Sequence, residues 1–134
     1  MIRFKDGFKY QLYETHTITL PWLDGYPDYS GDFLGVHGDV LTIEKGYAWD
    51  GASGPTWDSK SSMRASLIHD ALYQLMRVGI LPEAARGYAD ETLYVLCVED
   101  GMFKPRAWAW YKAVRLIAGG AARKGTERAI QEAP

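Results

Sequence analysis

His69 and Asp70 stand side by side in Ile68-His69-Asp70-Ala71-Leu72-Tyr73, and Ala89-Asp90 follows later in the chain. An imidazole is the side chain best suited to taking a proton near neutral pH, and a carboxylate that accepts its N–H fixes the tautomer. Neighbouring helical side chains diverge by about 100°, so Asp70 cannot orient His69. A partner must come from another element. With a turn centred near Ile80, His69 lies eleven residues before it and Asp90 ten after it. At ~1.5 Å per residue these are about 16 Å and 15 Å along two antiparallel helices. The two are level. Asp90 is therefore the expected orienter of His69, leaving the second ring nitrogen as a base. Tyr73, one turn beyond His69 on the same face, is expected to donate its hydroxyl to the same carboxylate.

Asp70 needs a separate partner, and the turn Trp49-Asp50-Gly51-Ala52-Ser53-Gly54-Pro55 offers one. The Asp50 carboxylate and backbone carbonyls bent by Gly51, Gly54 and Pro55 are donors for a hard cation, so with Asp70 they are expected to hold calcium. Neither a cysteine nor a second histidine lies nearby to favour zinc. Such an ion would polarise a carbonyl or phosphoryl oxygen while His69 activates water, which is ester hydrolysis without a covalent intermediate. The same residues also admit a non-catalytic reading: a tight turn, Trp49 in the core and a buried His-Asp-Tyr network.

These groups need a scaffold. Ser61 or Ser62 is read as the cap of a helix reaching about Val78, with Ala65, Ile68, Leu72, Leu75 and Met76 on one buried face. Gly79 stops it. Pro82 and Glu83 open a second helix that Asp100-Gly101 ends, and the two are expected to pack antiparallel. A third helix is predicted over residues 106–118, with Trp110, Val114, Ile117 and Ala118 toward the core and Trp108, Lys112 and Arg115 on other faces. Residues 119–134 read as a tail, and 49–60 as a turn-rich loop.

Residues 1–48 lack helical periodicity and read as strands joined by turns. Leu12, Ile18 and Leu20 recur at even positions, Asp24 to Asp32 reads as a surface loop, and Val40 to Tyr47 as a strand with Leu41 and Ile43 on one face. His16 and His37 lack ligand-like partners and are read as exposed or locally bonded. The fold class is thus α+β in a single domain: an N-terminal β-strand region packed on an antiparallel helix pair, plus a third C-terminal helix.

Composition narrows the function classes. A net charge of -2 argues against a nucleic-acid partner, which needs a clustered positive surface. The single cysteine, Cys97, permits no internal disulfide and reads as a core thiol. Neither a secretory signal nor a transmembrane segment is read, and the single cysteine fits a reducing cytoplasm.

Two resemblances attach to these residues. The run Tyr47 to Pro55, the segment Ile68 to Tyr73, Ala89-Asp90 and Tyr111-Lys112-Ala113-Val114-Arg115 resemble the phage and prophage family called domain of unknown function 1353, which implies a viral or prophage origin. The helix with His-Asp-x-x-Tyr, an Asp on its antiparallel partner and a Gly-containing loop is more distantly similar to phospholipase A2, especially its small bacterial forms. That resemblance implies His69 as general base, Asp90 orienting it, Tyr73 supporting Asp90, Asp70 as the calcium carboxylate, and Asp50 with the Gly51 carbonyl completing the calcium loop. Ala52 and Leu72 stand where that family commonly has cysteines. The leading expectation is a phage-derived, calcium-assisted hydrolase acting on a lipid or another ester or amide. The alternative is a non-catalytic phage structural or host-factor-binding protein on the same scaffold. A His-Asp metal phosphohydrolase ranks third, since His16 and His37 lie in the strand-rich part.

Overall fold

The computed structural model describes residues 2–5, 8–49 and 60–117, with side chains described over 11–49 and 61–116. The class is α+β: antiparallel strands come first and three helices follow. The described residues up to 49 make one compact unit and residues 60–117 another. Among the described residues no helix is long and apolar enough to cross a membrane.

The strand unit contains two antiparallel sheets. One joins β1 (Ile2–Lys5), β2 (Phe8–Leu12) and β7 (Ala48–Trp49) in the order β1-β2-β7. The other contains β3 (His16–Thr19), β4 (Tyr29–Ser30), β5 (Leu34–His37) and β6 (Val40–Ile43) in the order β3-β6-β5-β4. The expected alternation appears in β6, where Leu41 and Ile43 are fully buried and Thr42 between them is not. That strand is shorter than the sequence predicts. It ends at Ile43, where Tyr47 N–H donates to the Glu44 carbonyl across a turn and Gly46 takes a positive φ of 99°. The segment 24–32 is likewise not all loop, because Tyr29–Ser30 pairs with Gly35 and Val36 as a two-residue edge strand.

The helical unit follows its sequence pattern closely. α1 (Lys60–Arg77) buries all five residues of the predicted face completely: Ala65, Ile68, Leu72, Leu75 and Met76. A fully buried Leu, Ile or Met contributes about 1.5–3 kcal/mol relative to its exposed state. Ser61 and Ser62 lie inside this helix rather than capping it, because it already includes Lys60. α1 ends as Gly79 foretells. Gly79, at a φ of 87°, donates to the Met76 carbonyl, and Ile80 donates back to Leu75, closing a Schellman motif.

A short 3-10 turn at Glu83–Ala85 leads into α2 (Arg86–Glu99). The same closure recurs at its end, where Gly101 at a φ of 99° donates to Val98 and Met102 donates to Cys97. Cys97 is buried, which pushes its thiol up to about 12, as expected of a core thiol. α3 (Lys104–Ile117) begins earlier than predicted, since Pro105 needs no N–H acceptor and fits the first turn. Ala107, Trp110 and Val114 form its buried stripe. Ile117 has no described side chain, and Ala118 and the tail from 119 lie outside the described residues.

Candidate active site

α1 and α2 lie antiparallel, and two polar links fix their register. Near the start of α1, Arg64 grips Asp100 with two hydrogen bonds, Nε to Oδ2 at 3.0 Å and Nη2 to Oδ1 at 2.9 Å, and also reaches Glu99 at 3.0 Å. Nearer the connection, His69 meets Asp90. Nε2 of His69 lies 2.7 Å from Asp90 Oδ1. The Tyr73 hydroxyl donates to the same oxygen at 2.6 Å. The His69 and Tyr73 rings sit against each other with centroids 4.2 Å apart, as one helical turn requires.

Asp90 is 0% exposed and His69 is 6% exposed. Burial pushes the Asp90 carboxyl up, but the hydrogen bonds from His69 and Tyr73 outweigh it and hold the group below the usual carboxylate range. An ionised carboxylate only accepts, so His69 carries its proton on Nε2. In the neutral ring Nδ1 holds the lone pair, and no described residue bonds it. Burial, followed by the bond to Asp90, drives the Tyr73 phenol well above its usual range, so Tyr73 stays a donor.

The carboxylate also has partners that the sequence reading did not include. Arg115 on α3 donates from Nη1 to Asp90 Oδ2 at 2.9 Å. Arg86, one turn before Asp90 on α2, places Nη1 3.6 Å from the same oxygen and donates to the Val114 and Arg115 carbonyls at 3.4 Å. Asp90 therefore joins all three helices. Arg86 is detectable in the sequence as an i,i+4 partner of Asp90. Arg115 falls by sequence spacing on another face of α3, and only the approach of that helix to α2 brings it inward. Gly87 stands beside it, since a Cβ there would lie 3.7 Å from Arg115 Nη1.

The calcium half of the expected site is covered only in part. Asp70 is half-buried on α1 and has interactions of its own. Asp50 and Gly51, with Gly54 and Pro55, lie outside the described residues. Among the described residues no three His, Cys, Asp or Glu side chains gather as a metal site. His37, in the strand unit, is locally bonded as expected: Nε2 lies 3.1 Å from Ser30 Oγ and Nδ1 lies 3.8 Å from Asp28.

A family model described as protein of unknown function (DUF1353) matches residues 32–114. The span includes His69, Tyr73, Arg86 and Asp90, and Arg115 follows directly after it. No curated protein and no solved structure matches the chain.

Proposed function

The chain belongs to the DUF1353 family, and from that premise we propose that it is a phage-derived, calcium-assisted hydrolase whose general base is His69. One observation carries the reading: a histidine whose Nε2 is locked at 2.7 Å on a buried, ionised carboxylate and whose Nδ1 has no described partner. In this reading Nδ1 removes a proton from a water as that water attacks the carbonyl of a lipid ester or related substrate, and returns it to the departing alcohol oxygen as the ester C–O bond breaks. Asp90 holds the ring and stabilises the imidazolium, and Tyr73 keeps Asp90 Oδ1 in place.

Asp70 would hold the calcium with Asp50 and the Gly51 carbonyl. Of these, Asp70 is among the described residues, and Asp50 and Gly51 lie outside them. When bound, calcium supplies a Lewis acid for the substrate's carbonyl oxygen. Host cytoplasm or a virion as location belongs to the same proposal.

The test is hydrolysis of phospholipid vesicles and short-chain esters, with calcium and with chelator. His69→Ala is expected to abolish turnover while the fold persists, and an unchanged rate removes His69 from the mechanism. Asp70→Asn is expected to weaken calcium binding in calorimetry, whereas Asp90→Asn slows turnover and leaves calcium affinity nearly unchanged.

The two arginines favour a second reading. Arg115 and Arg86 already compensate the Asp90 charge, as suits a buried staple joining three helices in a non-catalytic phage structural or host-factor-binding protein. No hydrolysis and no calcium binding in the wild type, together with a large stability loss in Asp90 variants, would select this reading.

A further inference from the structure

The outer face of α3 departs from the usual polar surface of an amphipathic helix. The helix buries Ala107, Trp110 and Val114 on one side. Its exposed arc holds Lys104, Pro105, Trp108, Ala109, Lys112 and Leu116. Four of those six are apolar and two are cationic, and the whole of α3 contains neither Asp nor Glu. Trp108 is 52% exposed, Leu116 is 80% exposed, and Phe103, just before the helix, is 73% exposed.

The aromatic part of this face is ordered by its neighbours. Trp108 lies 5.1 Å from Tyr111 and 6.0 Å from Tyr94 of α2, measured between ring centroids. Lys112 Nζ sits 5.7 Å from the centre of the Trp108 ring. Among the described residues neither Lys104 nor Lys112 has a carboxylate partner. Glu99 on the exposed arc of α2 is already paired with Arg64, and Glu91 is the remaining acid of that arc.

We infer that this face of α3 docks on an anionic lipid surface, with Trp108, Leu116 and Phe103 entering the headgroup boundary and Lys104 and Lys112 meeting lipid phosphates. Charge complementarity selects this occupant: unpaired cations interleaved with large exposed apolar side chains match a negatively charged interface that is apolar beneath. Trp and Lys suit that boundary because each has an apolar body and a polar or charged end. The inference goes beyond the hydrolase reading, because docking does not depend on turnover at His69.

The test is co-sedimentation of the full chain with vesicles of phosphatidylcholine containing one-third phosphatidylglycerol, against pure phosphatidylcholine, with chelator present throughout. Binding is expected on the anionic vesicles only, and it should weaken as salt rises. Lys104→Glu with Lys112→Glu is expected to lower partitioning at least about tenfold, given roughly 1 kcal/mol per basic residue near such a surface. Trp108→Ser should lower it comparably, with thermal unfolding confirming that the variant is folded at the assay temperature. His69→Ala should bind as the wild type does, which separates docking from catalysis. No binding to anionic vesicles, or equal binding by the charge-reversed and Trp108 variants, overturns the proposal. So does a dimer in light scattering that the same substitutions dissolve, because the face would then belong to a second copy.

Discussion

The helix pair α1–α2 is crossed by two polar links of opposite character. Arg64 holds Asp100 in a two-pronged grip at the margin, where water competes for both partners and Glu99 is largely exposed. Asp90 is fully buried and takes hydrogen bonds from His69, Tyr73 and Arg115. The marginal link sets register at little cost. The interior link stakes much more, because Asp90, His69 and Tyr73 have given up water and are satisfied by one another, while Arg115 closes the carboxylate from a side that is one-third exposed. A buried carboxylate so fully bonded acts as a rigid reference point, and His69 inherits that rigidity.

Breaking the links should show the difference directly. Asp90→Ala is expected to cost about 1–3 kcal/mol in urea unfolding for each buried donor it leaves without an acceptor, His69 and Tyr73, while the one-third exposed Arg115 turns to water. A loss below about 1 kcal/mol would place Asp90 outside the stabilising framework. Tyr73→Phe keeps the ring and removes one bond to a charged acceptor, at about 1.5–3 kcal/mol.

The two groups at this carboxylate also set a pH dependence. Asp90 is depressed in the folded state, so its contribution is present above the unfolded value near pH ~4 and is lost as pH falls below it. Tyr73 is raised, so the unfolded chain ionises first and stability falls as pH rises past about 10. Unfolding free energy measured across pH should therefore decline at both ends. The acid decline should shrink in Asp90→Asn and the alkaline decline in Tyr73→Phe.

At the margin, Arg64→Ala is expected to cost about 1 kcal/mol or less, and less still in high salt. Gly87→Ala should be the mildest change and of opposite sign, adding about 0.5–1 kcal/mol of helix stability because the new methyl meets Arg115 at an ordinary contact distance. Destabilisation by Gly87→Ala would mean that the new methyl disturbs the Arg115 bond to Asp90 despite that spacing.

Much of the helical unit was legible because local rules coincide there. The apolar spacing marked the inner face of α1, and Gly79 and Gly101 marked both helix ends. Counting outward from the turn then placed Asp90 level with His69. Arg115 was not legible in this way, because the angle at which α3 meets α2 depends on packing that no single helix encodes. In the strand unit, β5 is hard to read from sequence: Gly35 and the polar His37 interrupt the alternation that betrays a half-buried strand, although its partners β4 and β6 lie only a few residues away on either side. Asp50 and Gly51 gain their expected meaning only from the turn that holds them, which lies outside the described residues.

The glycine closure at Gly79 also bears on the order of assembly. Its two hydrogen bonds turn the chain within a few residues, so α2 can return along α1 after closing only a short loop. In the strand unit, Ala48 pairs with Gln11 across most of the unit, and the entropy of closing so long a loop must be met before the β2–β7 pairing forms. Refolding should therefore unite His69 with Asp90 while β7 is still searching for β2, and the most buried charge in the helices would be among the first to find its partners.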